Sequence, residues 1–530
     1  MSGAPAVAPG SGARPAPAGG EAEPFDAVVI GAGAGGLTVA FGLARIGKRV
    51  ALVEGGAIGG DCTNVGCIPS KTLLDLAGRL RASGLEPGGD AWTAAAADAL
   101  AEVRRRRDAL REHETAQLER EPGLTLLRGR ARLTADGLVD VVTDGGSRRL
   151  RAPRVVLATG ARPLRIDLPG LPPELVWTNH ELFEAAAPPT HLAVLGGGPI
   201  GVEMATAFAR LGSRVTLVEA LPRLLSGSEP EASAVSETAL RRLGVDVRVG
   251  VRAVGFEADG GRLLLAATEP GDGAGAARGT GDVDAGPVTG VARVLMALGR
   301  RPAVADLTDV PGGLEALGIR VGRQGIVTDA AHRTGRRGVY AIGDVGERAK
   351  FTHAANAQGR RLVRHLTLPW LPLVREGDYP AVTFGEPEVA QIGPPLAALR
   401  RTVHPASIVS HRVDLADLDR GLTSGLREGF VLLHARRLTG RLLSATVVGP
   451  HAGELVQLLT WAQRRRVSLW QLSRHVVAYP ALAEGIKRAA DAFVFATLPA
   501  LPRELAAYLR TRWRRPPADA PTTVTGGAAR

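Results

Sequence analysis

Phe25 to Glu54 reads FDAVVIGAGAGGLTVAFGLARIGKRVALVE, and the same design returns from His191 to Glu219 as HLAVLGGGPIGVEMATAFARLGSRVTLVE. Each copy opens on a short apolar, β-branched run that reads as a buried strand, then turns through Gly-x-Gly-x-x-Gly. The glycines are Gly31, Gly33 and Gly36 in the first copy, with Gly35 beside them, and Gly196, Gly198 and Gly201 in the second. An apolar helix follows and ends at a glycine, and a second strand closes on Glu54 or Glu219. From first glycine to closing glutamate the interval is 23 residues in both copies. Glycines let the turn and the helix N-terminus approach a pyrophosphate, whose charge the amide dipoles stabilise. The carboxylate accepts hydrogen bonds from adenosine ribose hydroxyls. One such turn is weak evidence. Two complete units at equal internal spacing point to two nucleotide sites, in an α/β chain with two Rossmann-like domains.

Directly after the first unit, Gly55 to Leu74 reads GGAIGGDCTNVGCIPSKTLL and holds both cysteines of the 530-residue chain, Cys62 and Cys67. In an unbroken helix, residues five apart lie roughly 8 Å apart on different faces, beyond the roughly 4.4 to 6.8 Å that a disulfide spans between Cα atoms. Bringing the sulfurs together therefore takes a broken turn. Gly66 supplies backbone freedom and Pro69 suits a first helical turn. Leu73, Leu74, Leu76 and Leu80 predict a helix opening just after the cysteines, whose N-terminal partial charge favours thiolate. With no second cysteine pair a zinc site is not indicated, and no metal ligands are assigned.

The motif GGxCxNxGCIPSK, flanked by the two glycine units, resembles the active-site signature of the flavin-dependent pyridine nucleotide-disulfide oxidoreductases, the family of dihydrolipoamide dehydrogenase, glutathione reductase and mercuric reductase. The resemblance implies a redox disulfide of Cys62 and Cys67, with Cys67 facing the flavin and Cys62 exchanging with substrate. It implies FAD at the first unit, with Glu54 on the ribose and Gly60 in the cradle, and NAD(P)H at the second. VVLATG at 155–160, with Ala158, Thr159 and Gly160, and VARVLMALGRRP at 291–302, with Gly299, resemble the family's crossings between FAD and NAD domains. VYAIGD at 339–344 resembles its second FAD fingerprint, where Asp344 follows Gly343 and binds the ribitol chain. FTHAANAQGR at 351–360 should begin a helix whose first residues, Thr352, His353 and Ala354, face the flavin. Lys71 and Glu203 are implied as an ion pair at flavin N5. Glu219 sets like charge against a 2′-phosphate and favours NADH over NADPH, although Arg223 stands four residues on.

From about Tyr379 the pattern becomes α+β. AVTFGEPEVAQIG at 381–393, LLSATVVGPHAGELVQLL at 442–459 and HVVAYPALAEGIKRAAD at 475–491 resemble the family's dimerisation domain, which implies a homodimer whose subunits complete each other's active sites. The resemblance divides the chain into a leader (1–24), a FAD-binding domain in two parts (25–172 and 303–376), an NAD(P)-binding domain (173–302), the dimerisation domain (377–500) and a basic tail (501–530). Tyr479 stands where disulfide-reducing relatives carry a proton-shuttling histidine, and Glu484 keeps its spacing of five. A phenol with a reference pKa near 10 is a poor base at neutral pH, so ordinary disulfide reduction should be slow. His475, one turn earlier if the segment is helical, reads as structural. Tyrosine here resembles mercuric reductase, but that enzyme's C-terminal cysteine pair and N-terminal metal-binding domain have no counterpart in this sequence. The expected activity is mercuric-reductase-like electron transfer from NAD(P)H through flavin and Cys62/Cys67 to a disulfide, a metal ion or a quinone. A dihydrolipoamide dehydrogenase and a flavin-bound redox sensor or interaction protein remain as alternatives.

Composition narrows the partners. The net charge of +12 comes from four lysines and 61 arginines. Runs such as Arg104–Arg107 and Arg464–Arg466 fall in helix-like segments and read as solvated faces, so nucleic acid is not expected. No apolar run reaches the roughly 18 residues of a membrane span. Met1 to Glu23 is rich in Ala, Pro and Gly and reads as a disordered leader, which with the reducible dithiol suggests the cytoplasm. EPGDGAGAARGTGDVDAGPV, between Thr268 and Thr289, reads as an insertion in a surface hairpin, and RTRWRRPPADAPTTVTGGAAR, from Arg510 to Arg530, as a stretch that frays into a basic tail.

Overall fold

The computed structural model describes residues 21–268, 285–374 and 376–514. The helices that position the site are α1 (Ala34–Ala44), α2 (Gly60–Asn64), α3 (Cys67–Arg81), α4 (Asp90–Arg120), α5 (Pro199–Arg210), α6 (Thr352–Thr367), α7 (Glu484–Thr497) and α8 (Leu501–Thr511). The chain forms two compact units. One takes residues through Gly60, His113–Gly160 and Pro302–Leu373, and the other takes Asp61–Glu112, Ala161–Arg301 and the chain from Val374.

The first unit is built on a parallel sheet whose strands run in the order Val339–Ala341, Val155–Leu157, Ala27–Ile30, Val50–Glu54 and Leu124–Arg128. Ala27–Ile30 is buried at all four positions, as a strand covered on both faces requires. The order reverses beside this first strand, so the glycine turn at its end sits at the topological switch point where such sheets bind ligands. Helices α1 and α6 meet through small residues. A Cβ on Gly359 would lie 3.0 Å from the Gly35 carbonyl oxygen and from Thr38, and one on Gly42 would lie 2.8 Å from Val363. Glu23 and Pro24, expected in the leader, instead pair with Leu150 and Arg151. The rest of the leader expectation, residues 1–20, lies outside the described residues.

The second unit repeats the plan, with strands in the order Val176–Trp177, Arg293–Met296, His191–Leu195, Arg214–Glu219 and Asp246–Val249, all parallel. It adds an antiparallel sheet ordered Ala381–Thr383, Glu388–Ile392, Leu442–Gly449, Phe430–Arg436 and Ile408–Asp414. Leu73, Leu74 and Ala77 of α3 join Val202, Ala205 and Phe208 of α5 in one apolar core that also takes in Phe430 and Val448. Trp92 Nε1 donates to the Leu211 carbonyl at 3.1 Å and ties α4 to the end of α5. The hairpin Val251–Glu257 and Arg262–Ala267 leads towards the expected insertion, whose residues 269–284 lie outside the described residues.

Two expectations change here. The run Arg104–Arg107 is not simply a solvated face. Arg107 is buried and paired with Asp108 and Glu184, and Arg104 donates to the Ala185 carbonyl at 2.6 Å, while Arg105 and Arg106 are exposed beside Glu102. The basic tail opens on helix α8, which runs through Thr511 into the first two residues of the stretch expected to fray, and Arg437 Nη1 donates to both carboxylate oxygens of its Glu504 at 2.7 Å. Residues 515–530 lie outside the described residues. Arg437→Met should release α8 alone. Amide exchange across 501–511 should rise sharply while Tm falls by about 2 °C or less, as read by exchange mass spectrometry and calorimetry. Among the described residues no helix is long and apolar enough to cross a membrane.

Candidate active site

The two glycine turns have the same geometry. Gly31 has φ +105° and a Cβ there would meet the Ala158 carbonyl at 2.4 Å; Gly196 has φ +110° and would meet the Ala297 carbonyl at 2.5 Å. A Cβ on Gly36 would lie 1.9 Å from the Gly31 oxygen, and one on Gly201 would lie 1.8 Å from the Gly196 oxygen. The closing glutamates act as clamps. Glu54 accepts from the amides of Ala32 at 2.6 Å and Gly56 at 2.7 Å, and Glu219 from those of Gly197 at 2.5 Å and Leu221 at 2.7 Å. Gly33 and Gly198 cap α1 and α5 with no side-chain cap, and neither helix has an acidic residue in its first turn. The amides at both helix starts thus present an electropositive end suited to an anion such as a pyrophosphate, and the glycines let each turn pack tightly against its own helix and the neighbouring strand end.

Around the first turn, a Cβ on Gly60 would lie 2.8 Å from the Gly33 Cα, so the stretch leading to the cysteines closes the cradle. Thr159 Oγ1 donates to the Ala303 carbonyl at 2.8 Å, and the Ala303 amide donates to Gly160 at 3.0 Å. Gly343 and Asp344 lie in a short 3-10 turn, Gly343–Val345. Thr352, His353 and Ala354 form the first turn of α6, which has neither a side-chain cap nor an acidic first-turn residue. These features fit a dinucleotide cofactor. In the second unit, Gly299 accepts from the Leu164 amide at 2.9 Å.

The cysteines sit on two helices. Cys62 lies in α2, and α3 begins at Cys67 itself rather than after it, with Gly66 as an uncapped N-cap and Pro69 in the first turn. The break between them is a close approach. A Cβ on Gly66 would lie 2.7 Å from the Asp61 carbonyl oxygen and 3.2 Å from the Cys62 Cα, so only glycine lets the residue before Cys67 fold against Cys62. Asn179 Nδ2 donates to the Val65 carbonyl at 3.0 Å and holds this turn. Both cysteines are half-buried. At the first residue of a fifteen-residue helix, Cys67 feels the full N-terminal dipole, which favours its thiolate.

One turn further along α3, Lys71 Nζ lies 2.7 Å from Glu203 Oε2 and 4.7 Å from the centre of the Phe384 ring. The other carboxylate oxygen of Glu203 accepts from the Phe384 amide at 3.0 Å. Glu203 is buried and stands two residues beyond Gly201, so the cysteine helix is bonded to the helix of the second glycine turn. Sequence reasoning missed Phe384, although it lies in a stretch singled out as a domain marker. It also missed Arg300, which pairs with Asp61 beside Cys62 and donates to the Ala161 carbonyl.

Tyr479 is exposed. The Tyr479 hydroxyl hydrogen-bonds to Asp419, and that bond with the neighbouring negative charge raises its pKa above 10. Glu484 accepts from Arg488 Nε at 2.9 Å, and Arg488 reaches Asp419 at 3.8 Å. The segment 475–478 is not helical, so His475 does not stand one turn before Tyr479. Because the raised pKa keeps the phenol neutral until the pH passes its ordinary value, kcat/KM should show no limb from Tyr479 between pH 6 and 9. Asp419→Asn should lower the ionisation pH, read as tyrosinate absorbance against Tyr479→Phe.

Two nucleotide cradles, a glycine-hinged cysteine pair and a lysine–glutamate bridge together define a two-nucleotide redox protein. The pyridine nucleotide-disulphide oxidoreductase family model matches residues 25–359 and the dimerisation-domain model of that family matches 379–490, so the chain belongs to this family of FAD-dependent enzymes. It is 33% identical over 480 residues to a mercuric reductase of Streptomyces lividans, covering 88% of this chain and 96% of the relative. It is 32% identical over 481 residues to a dihydrolipoyl dehydrogenase of Chlorobaculum tepidum, with the same coverage of 88% and 96%. Among solved structures it resembles the HOCl-induced flavoprotein disulfide reductase RclA from Escherichia coli, at TM-score 0.75 and 25% identity, covering 88% of this chain and 99% of that one.

Proposed function

We propose that the chain is a homodimeric NADH oxidoreductase that passes electrons through Cys62 and Cys67 to a thiophilic acceptor, in the manner of mercuric reductase. What carries the reading is α3. Its N-terminus bears Cys67 against the Gly66–Cys62 fold, and its next turn bears Lys71 on Glu203 of the second glycine helix. When bound, FAD supplies the two-electron relay between nicotinamide and the Cys62–Cys67 disulfide. Gly31, Gly33, Gly35, Gly36, Glu54, Gly60, Ala158, Thr159, Gly160, Gly343, Asp344 and the first turn of α6 would hold it. Gly196, Gly198, Gly201, Glu219 and Gly299 would hold the nicotinamide nucleotide. Lys71, oriented by its bond to Glu203, would place positive charge beside the flavin. The helix dipole holds Cys67 as thiolate, leaving Cys62 to meet the acceptor.

Two observations sharpen the substrate. Arg223 spends its guanidinium on the carbonyls of Leu225 at 3.3 Å and Ser226 at 2.6 Å, while Glu219 closes the second unit's strand with a negative charge, and the pair favours NADH. Tyr479, bonded to Asp419 and held protonated, does not serve as a base, which favours a metal ion bound by sulfur over a disulfide that needs proton shuttling. The test is an anaerobic assay of purified protein with NADH or NADPH against thiol-complexed Hg(II), lipoamide and a benzoquinone. The expected result is kcat/KM for NADH roughly tenfold above NADPH, about 1.4 kcal/mol, with turnover on the metal and little on lipoamide. Lipoamide turnover matching that on the metal would instead make the chain a dihydrolipoyl dehydrogenase.

A further inference from the structure

We propose that Gln358 is a cofactor-positioning residue: one end of its amide fixes the second FAD fingerprint, and the other is kept for an oxygen of bound FAD. Gln358 lies on α6 and is 1% exposed. Its Oε1 accepts from the Gly343 amide at 2.8 Å. Gly343 has φ +71° and opens the 3-10 turn that carries Asp344, so this bond sets how Asp344 is presented. It also settles the orientation of the amide group. Gly343 N–H can only donate, so the oxygen must face it and Nε2 must point away, since a flipped amide would set donor against donor. Nε2 is fully buried and has no hydrogen-bond partner among the described residues.

A buried donor with no acceptor weakens a fold, and a methionine or leucine of similar volume would fill the space without it. The surroundings indicate where the acceptor comes from. Gln358 follows Ala355 by one turn on the same helix face. Ala355 lies against the glycine turn, because a Cβ on Gly35 would sit 3.4 Å from its carbonyl oxygen and 3.5 Å from its Cβ. A Cβ on Gly343 would likewise lie 3.5 Å from the Ala355 Cβ. The next residue, Gly359, packs on Gly35 and Thr38 of α1. Gln358 is therefore placed where α1, the Gly343 turn and α6 converge, beneath the cradle assigned to FAD. The pyrophosphate and ribitol of FAD are rich in acceptor oxygens, and the nearest protein groups leave that role open.

The inference rests on FAD occupying the first unit, and the experiment separates the two claims. Apoprotein would be prepared from wild type, Gln358→Met and Gln358→Glu. FAD dissociation constants would be measured by flavin fluorescence quenching, and apoprotein Tm by calorimetry. Methionine removes both hydrogen bonds at nearly constant volume, whereas glutamate keeps the acceptor for Gly343 and removes the amide donor. Both variants should bind FAD at least fivefold more weakly, while apoprotein Tm stays within a few degrees of wild type. If wild type binds FAD and Gln358→Glu binds it equally well above neutral pH, the donor role is overturned. If Tm falls in both variants with the dissociation constant unchanged, Gln358 is structural only. If wild type itself fails to bind FAD, the underlying assignment of the first unit falls instead.

Discussion

Replacing Cys67 with serine should stop acceptor turnover by a factor on the order of a thousand while leaving the fold intact. The serine hydroxyl fits the first turn of α3 as well as the thiol does, and Gly66 still closes against Cys62, so stability should change little. What is lost is the sulfur that the helix dipole keeps ionised, and no hydroxyl reaches a useful anion population there at neutral pH. Removing an essential nucleophile typically costs several orders of magnitude in kcat. The measurement pairs anaerobic turnover with a thiol count. Wild type treated with one equivalent of NADH should yield two newly alkylated cysteines, and Cys67→Ser none beyond its oxidised level. Cys62→Ser should lose turnover to a similar degree. Full activity in either variant would mean that electrons leave without passing through sulfur, as a quinone or oxygen acceptor would allow.

Lys71→Met should have the largest effect on stability and a second effect on reduction by nicotinamide. The substitution leaves the Glu203 carboxylate buried, with the Phe384 amide as its remaining bond at 3.0 Å. Taking one partner from a buried ion pair costs about 3 to 5 kcal/mol, and the one-third exposure of Lys71 places this case at about 3. Glu203→Gln, which keeps the shape and the Phe384 bond, should cost clearly less. Denaturant melts would rank the two, and Lys71→Met with Glu203→Gln together should recover much of the loss if the stranded charge is its source. Stopped-flow reduction by NADH should slow in Lys71→Met, because positive charge is removed from the helix bonded to the nicotinamide turn.

What could be read from the chain was local in sequence. The glycine turns, their closing glutamates and the helices between them are each set within about thirty residues, and the strands and α1 and α5 lie where their periodicity placed them. The break between the cysteines was expected from spacing alone, but its cause was not. Gly66 serves by close approach to Asp61 and Cys62, and its φ of −129° is one that other residues adopt. Contacts between distant segments were the hard part. Arg107 looked solvated because nothing nearby foretold Glu184, and the Phe384 amide on Glu203 joins residues 181 apart. Helix α8 was hidden by its arginine- and proline-rich surroundings. Leu501, Leu505 and Leu509 do recur every fourth residue, a helical signal that composition obscured.

The paired clamps of Glu54 and Glu219 bear on binding kinetics. With each carboxylate already fastened to two backbone amides, the turns beside the two proposed adenosine sites are held before a nucleotide arrives. Capture should therefore follow encounter and orientation, with an observed association rate that rises linearly with nucleotide concentration and does not saturate at a conformational step. The difference in residence between a cofactor that stays and a cosubstrate that leaves would then arise in escape, governed by how much of each dinucleotide the protein covers beyond its adenosine end.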